Sequence, residues 1–482
     1  MEEPRTLHFD SRGFAFALQC GILICIVFAG VRYGTAYASD VIVAAAEENL
    51  AEMQLKLEEV KAKRTMRSIG EMNLLKELQK YEETLSTRSI GTASIDTLSL
   101  AHEKMVGADL TNMKLYLYEN GYAVKTIDIL SKGKRGSQWE TPTGLYKIET
   151  KEQDHFSSIG EVHMPYSMQF FGNFFVHGWP YYPDGTPVAP GFSGGCIRLA
   201  TDDARLIYEF VTPGTPIFVW EDSADDAADF EVTSAKPPYV SAKSYIVADI
   251  RTGEVYAEKD ADTSRPIASL SKLMTALVAN ETIHYGRTLT INRDDRTQTE
   301  GTPGAITSDD TFTVGDLLFP LLMESNNSVA YTLARYYGSE NFLEWMNDKA
   351  RAIGMQDAHF EDPSGISEKN VASASDLFKF MRYIHDSQSY ILNVTRLKDK
   401  SIKAEDGSKY TLANFNHFAD NKQFLGGKTG YTDAAHETMT AVFELPLKNA
   451  TATVAIVVLA SEDRKGDVET LLAWFKRNAK AE

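Results

Sequence analysis

The stretch VHGWPYYPDGTPVAPGFSGGCIRL, from Val176 to Leu199, holds a cysteine and a histidine in a setting that suits acyl transfer. A thiol attacks a carbonyl well only as its thiolate, and a histidine within hydrogen-bond reach generates that thiolate. Cys196 and His177 are the candidate pair. The glycines before Cys196 let the backbone turn sharply and aim N–H groups at a developing oxyanion, with Gly195 and Cys196 as the expected donors. For the pair alone, a buried cysteine beside an unrelated, satisfied histidine is the competing reading. A second chemistry lies downstream, where Ser269 and Lys272 form S-x-x-K ahead of an apolar run, LMTALVA. Positions i and i+3 share a helix face, so a lysine amine with a pKa lowered by burial can take the serine proton. Alone, S-x-x-K occurs by chance in many helices.

Both motifs gain force from their company. His177-Gly178, followed by Ser193-x-Gly195-Cys196-Ile197-Arg198, resembles the signature of the YkuD-type L,D-transpeptidases. The strand–Asn120-Gly121–strand opening and the Thr141-Pro142-Thr143-Gly144 turn extend the resemblance over most of a domain. That family implies a cysteine acyltransferase that cross-links peptidoglycan stem peptides. Cys196 would be the nucleophile and His177 the proton carrier, while Ser193, Gly195 and Arg198 would bind the donor. The carbonyl of Gly178 would fix the imidazole tautomer. Gly194 is a departure, because many members carry histidine or another polar residue there.

Ser325-Asn326-Asn327 and Lys428-Thr429-Gly430 complete, with Ser269-x-x-Lys272, the trio of the penicillin-binding proteins and β-lactamases. Asp362-Pro363-Ser364-Gly365 and the run from Gly427 to Asp433 resemble the serine D-alanyl-D-alanine carboxypeptidases in particular. The resemblance implies that Ser269 is acylated with Lys272 as base. Ser325 and Asn327 would relay the leaving-group proton and hold the substrate amide. Lys428 and Thr429 would bind the terminal carboxylate. There is no E-x-x-L-N element of the class A β-lactamase kind. A β-lactamase-like hydrolase in the second domain remains an alternative, as does a wall-binding scaffold with one or both sites inactive.

Other parts of the chain must position these residues. The length of 482 residues allows two globular domains with extras. The expected organisation is multidomain: a β-rich domain over 107–222, an acidic linker over 223–240, and an α/β domain of antiparallel sheet with helices over 241–478. Alternation marks strands at Leu115–Tyr118, Tyr122–Leu130, Leu145–Ile148 and Phe174–Val176, with a helix from Thr201 to Phe210. In the second domain, strands are expected at Ser244–Asp249 and Val255–Glu258, a buried one at Thr451–Ala460, and a closing helix at Val468–Lys476. With the chain ending there, anchoring would fall to the N-terminus.

That N-terminus has its own logic. Gly13 to Val31 carries no charge and as a helix would span about 28 Å, close to a bilayer's hydrocarbon core. Arg5 and Arg12 precede it, which favours residues 1–12 as a cytoplasmic tail. A cleaved signal ending near Ala38 is the rival reading, and both place the body outside the cytoplasmic membrane. Residues 41–88 read as a helical or coiled-coil stalk, with apolar positions Leu50, Met53, Leu57 and Val60, then Leu74, Leu78, Tyr81 and Leu85. A helical hairpin or a single solvated helix fits the same pattern, and self-association would follow from a coiled coil.

The formal charge of −18 argues against a nucleic-acid partner. Of three cysteines, Cys20 and Cys25 lie in the apolar run, leaving Cys196 without an intradomain disulfide partner. An exported domain with one unpaired cysteine suggests a thiol kept for chemistry. The ten histidines show no paired ligand spacing, so neither metal nor other cofactor is expected. The expected partners are peptidoglycan stem peptides, β-lactams as inhibitors, and the membrane through the N-terminal helix.

Overall fold

Asn120 and Gly121 both take positive φ, 52° and 85°, so the two-residue loop closes a type I′ hairpin as the dipeptide demands. The computed structural model describes residue 95 and residues 98–481, apart from 223–229, 234, 235, 298–305, 307, 308 and 449. The expected span at 13–31 and stalk at 41–88 therefore lie outside the described residues. Among the described residues, no helix is long and apolar enough to cross a membrane.

The first domain is a sandwich of two sheets. One takes the order β3-β2-β1-β9-β4, from β1 (Lys104–Asp109), β2 (Lys114–Glu119), β3 (Tyr122–Asp128), β4 (Gly144–Lys147) and β9 (Pro216–Trp220). The other takes the order β5-β6-β7-β8, from β5 (Thr150–Ser157), β6 (Val162–Phe171), β7 (Phe174–His177) and β8 (Ile197–Arg198). Val106, Leu115, Leu117, Ile217 and Val219 of the first sheet pack on Met168, Phe170, Val176 and Ile197 of the second. Helix α1 (Thr201–Phe210) buries Ala204 and Ile207 in the same core. β1 opens at Lys104, and Ile95 and Leu98 pack beneath Trp220.

In the second domain, the strands are β10 (Phe230–Val232), β11 (Ser244–Asp249), β12 (Val255–Lys259), β13 (Arg265–Pro266), β14 (Thr288–Thr290), β15 (Thr311–Thr313), β16 (Val371–Ala372), β17 (Asp399–Lys403), β18 (Lys409–Ala413), β19 (Phe424–Thr432), β20 (His436–Pro446), β21 (Thr451–Ser461) and β22 (Ala479–Ala481). The main sheet is antiparallel in the order β12-β11-β21-β20-β19, so the last long strand lies at its centre, beside the first. On one face pack α2 (Ser271–Thr282), α4 (Val314–Met323), α5 (Asn327–Arg335), α6 (Ser339–Ala352), α7 (Ala374–Ser387) and α8 (Ser389–Thr395), with the short α3 (Arg293–Thr297) against α5. On the other lies α9 (Arg464–Asn478), which buries Val468, Leu471 and Phe475. Within the segment read as linker, β10 pairs antiparallel with β22, beyond the expected end of the domain.

The two domains meet over a buried ion pair. Glu281 of α2 and Lys349 of α6 lie 2.8 Å apart with side chains 1% and 0% exposed. Lys349 Nζ also donates to the hydroxyls of Tyr383 in α7, at 2.9 Å, and of Tyr146 in β4, at 2.8 Å. Tyr146 thus carries the first domain onto a charge of the second. Glu281 Oε2 has no hydrogen-bond partner. A buried pair of this kind adds little net stability, but removing one member leaves an uncompensated charge. Lys349→Met should therefore cost about 3–5 kcal/mol by urea unfolding, and Glu281→Gln/Lys349→Met should recover most of it. A single variant as stable as wild type would contradict this account.

Candidate active sites

The serine site is built around a strained turn. Ser269 lies in the 3₁₀ turn Ala268–Leu270 that leads into α2, and Ala268 holds φ of 49°. Such a conformation persists only when its surroundings impose it. Here Thr438 donates to the Ile267 carbonyl at 3.0 Å, and Ser271 Oγ donates to that of Ala268 at 2.9 Å. Two glycines press against the turn. A Cβ on Gly365 would lie 1.9 Å from the Ala268 oxygen, and one on Gly430 would lie 2.9 Å from the Ser269 nitrogen. The third residue of Lys428-Thr429-Gly430 is thus glycine because β19 passes directly beside the serine.

Lys272 Nζ donates to Ser269 Oγ at 2.9 Å and to the Ser364 carbonyl at 2.6 Å. The side chain is buried, and burial lowers the amine to about 7 while the charge of Asp362 pulls the other way. An amine near 7 can accept a proton from serine at neutral pH. Asp362 shapes the loop that presents Ser364: it accepts from the Ser364 amide at 2.7 Å, the Ser364 hydroxyl at 2.6 Å and the Gly365 amide at 2.8 Å. The buried Asn370 side chain ties this loop to α2, donating to Ser271 Oγ at 2.9 Å and to the Asp362 carbonyl at 2.8 Å.

Across the site, Lys428 Nζ donates to Ser325 Oγ at 3.0 Å and to the Thr429 carbonyl at 2.8 Å. Ser325 sits between α4 and α5 with φ of 57°, and Asn327 is the first residue of α5. Burial, then the charges of Lys272 and Arg464, push the Lys428 amine well below its ordinary value. An anion placed here would reverse that shift, so the pocket favours a carboxylate. Arg464 lies at the start of α9 and donates from Nη1 to the Gly430 carbonyl at 2.7 Å, while its buried Nε has no partner.

The thiol site lies where β7 and β8 run parallel, with His177 opposite Arg198 in register. His177 Nδ1 donates to the Gly178 carbonyl at 2.6 Å, which leaves Nε2 with the lone pair. The expected tautomer contact is therefore present. Burial holds this imidazole down at about 3, so it is neutral throughout the working range. Cys196 departs from expectation. Its thiol donates to the Asn173 carbonyl at 3.7 Å, not to His177, and burial pushes it up to about 11 against the opposing backbone hydrogen bond from Phe175 and the charge of Arg198. The resting pair is a thiol and a neutral imidazole, not a preformed thiolate. The Gly195 amide also departs: it donates to Ser193 Oγ at 3.0 Å, so it is already engaged in the resting state. Ser193 Oγ in turn donates to the Cys196 carbonyl at 2.6 Å and braces the turn. The Arg198 guanidinium lies over the Trp179 ring at 5.9 Å with its buried Nε unpartnered. A Cβ on Gly194 would meet nothing within 4 Å, so a larger residue fits there.

Residues 231–462 match the D-alanyl-D-alanine carboxypeptidase family, and residues 103–219 match the L,D-transpeptidase catalytic domain of the YkuD family. A D-alanyl-D-alanine endopeptidase of Escherichia coli is 31% identical over 51% of this chain and 80% of its own. The chain belongs to the D-alanyl-D-alanine carboxypeptidase family. A D-alanyl-D-alanine carboxypeptidase of Mycobacterium tuberculosis is 30% identical over 44% of this chain and 74% of its own. A solved D-alanyl-D-alanine carboxypeptidase structure from the same organism is similar over 50% of this chain and 93% of its own, at 26% identity and a TM-score of 0.46.

Within the carboxypeptidase domain, the structure brings Ser269, Lys272, Ser325, Lys428 and Thr429 together and adds residues that motif reading left without a role. Asp362 and Ser364 were visible as a turn signature, but nothing in their spacing says that Ser364 meets the lysine. Arg464 carries no sequence signal, since only the packing of α9 on β20 and β21 brings it to the Gly430 carbonyl of β19. The thiol chemistry gives a direct check. Alkylation of Cys196 should rise about tenfold per pH unit from 8 to near 11, whereas the urea-unfolded chain levels off near the ordinary thiol value of 9. Iodoacetamide labelling read on the Cys196 peptide by mass spectrometry measures both, and a folded-state plateau by pH 9 would overturn the neutral resting pair.

Proposed function

We propose that the chain is a bifunctional peptidoglycan-remodelling enzyme of the bacterial cell envelope: a serine D,D-peptidase joined to a cysteine L,D-transpeptidase. The contact that carries the first activity is Lys272 Nζ at 2.9 Å from Ser269 Oγ, with burial holding the amine at about 7. Ser269 attacks the carbonyl of the penultimate D-Ala, and its proton passes to Lys272. The C–N bond breaks, Ser325 relays a proton to the departing D-Ala amine, and water then hydrolyses the acyl-serine. Lys428, Thr429 and Arg464 hold the terminal carboxylate, and Asn327 holds the substrate amide. The relatives include both endopeptidases and carboxypeptidases. The buried Lys428 and the half-buried Arg464, placed together at one end of the site, favour a substrate with a free terminal carboxylate, hence carboxypeptidase action.

In the first domain, Cys196 attacks the donor tetrapeptide at the carbonyl between its L-centred and D-centred residues. His177 Nε2 takes the thiol proton as the attack proceeds and returns it to the departing D-Ala. The acceptor amine of a second stem then breaks the thioester and regenerates the thiol. Support comes from the neutral Nε2 and the adjacent Arg198 on the same ladder. The domain boundaries near 107–222 and 241–478, and a membrane anchor at 13–31, belong to this proposal.

Incubation with a penicillin and a penem should give adducts on Ser269 and Cys196 by mass spectrometry, and absence of both would favour a wall-binding scaffold. Because Lys272 must be neutral to act as base, penicillin acylation should rise with pH through about 7 and level off above it. A rate that falls over pH 6–8 would remove Lys272 from this role.

Trimming pentapeptide stems to tetrapeptides supplies the donor that an L,D-transpeptidase needs. Ser269→Ala should therefore abolish cross-linking from pentapeptide alone, and added tetrapeptide should restore it. Cross-linking from pentapeptide that survives Ser269→Ala would refute this order of events.

A further inference from the structure

The turn between β6 and β7, Phe171 to Phe174, touches the nucleophile on one side and the carboxypeptidase domain on the other. Toward Cys196, the Asn173 carbonyl is the thiol's acceptor, at 3.7 Å. Phe174 packs so closely on Gly195 that a Cβ there would lie 2.3 Å from its ring. Toward the second domain, the Asn173 side-chain amide donates to the carbonyl of Thr282, the last residue of α2. Carbonyls in the last turn of a helix lack intrahelical donors, so α2 is closed here by a side chain from the other domain. Tyr337 donates to the same Thr282 carbonyl at 2.9 Å. Gly172, at φ of 49°, lies so near Thr282 that a Cβ would stand 2.9 Å from its Cγ2. Lys349 lies 5.0 Å from the Phe171 ring centre, which extends the same grip to the start of the turn.

We propose that Asn173 is the positioning residue through which the carboxypeptidase domain holds the Cys196 thiol in register for acyl transfer. One amide side chain reaches α2 while the carbonyl of the same residue holds the sulfur. A displacement of this turn therefore moves the thiol's acceptor and Phe174, which seats the Gly195 turn, together. Errors near 1 Å at a nucleophile cost on the order of a hundredfold in rate, so a contact remote from the reacting bond has leverage. The thiol site is then complete only with the second domain packed against it. This inference rests on Cys196 being the transpeptidase nucleophile, but its structural core does not.

The test uses the full chain with Asn173→Ala, which keeps the carbonyl and removes the donor, and Asn173→Leu, which keeps a similar size and removes the donor without adding a charge. Three readouts are taken: iodoacetamide labelling of Cys196 against pH, kcat and KM for tetrapeptide cross-linking, and penicillin acylation of Ser269 as a report on the second domain. The charged or titratable groups facing the thiol site are His177 on β7, Arg198 on β8, Tyr182, which interacts with Arg198, and His155 on β5, stacked on Phe175 at 4.8 Å. None is altered by either substitution. A released turn exposes the thiol, so the labelling midpoint should fall by about one unit and labelling at pH 8 should rise about tenfold. Over the same variants kcat should fall about tenfold with KM within about twofold, while Ser269 acylation is unchanged. If Asn173→Ala loses Ser269 acylation, Asn173→Leu carries the test. A labelling profile that matches wild type in the folded variants overturns the proposal. A shifted profile in a protein with no cross-linking activity leaves the positioning role standing and removes the transpeptidase reading instead.

Discussion

Every residue of α2, from Ser271 to Thr282, is buried, and that constraint governs much of the molecule. A helix with no exposed face must find a partner for each polar group it carries, because an unmade hydrogen bond there costs about 1–3 kcal/mol. Lys272 is answered by Ser269 and Ser364, Glu281 by Lys349, and the Thr282 carbonyl by Asn173 and Tyr337. One end of the helix is thereby the floor of the serine site and the other a docking post for the first domain. At about 1.5 Å per residue the two ends are separated by about 18 Å.

The same physical effect serves the two nucleophiles in opposite ways. Removal from water disfavours charge, which leaves Lys272 as a free amine and therefore a base. Applied to Cys196, it leaves a protonated thiol. At rest the amine beside Ser269 is thus set near neutrality, whereas the thiol is held protonated. A protonated and nearly buried sulfur resists the oxidation that a standing thiolate would invite.

What could be read from residues alone was whatever depends on short spacing. Asn120-Gly121 announces its hairpin, Leu273 to Ala279 announces a helix without a polar face, and S-x-x-K places Lys272 under Ser269 even though the serine sits in a 3₁₀ turn. Long-range packing was not legible. The state of Cys196 depends on its neighbours in β6 and β7, and motif spacing does not reveal that the sulfur faces a carbonyl. Strands β1 and β5 were missed because β1 is buried almost throughout and β5 is mostly polar and exposed, so neither shows clean alternation. The pairing of β10 with β22 spans the whole second domain, which no local pattern encodes.

The strand order of the second domain also sets a sequence of assembly. Because β21 lies between β11 and β20, the first strand of the sheet has no inner neighbour until nearly the whole domain has been made. Contacts that distant in sequence form slowly, and a chain delivered from its N-terminus folds its leading domain first. The sandwich around Cys196 draws on residues before Trp220 and closes early. The wall of the serine site, β19, and the strand that completes its sheet arrive later. During maturation the Cys196 thiol is therefore enclosed before the serine site is complete, with the face built by Tyr146 and Asn173 waiting for α6 and α2 to dock.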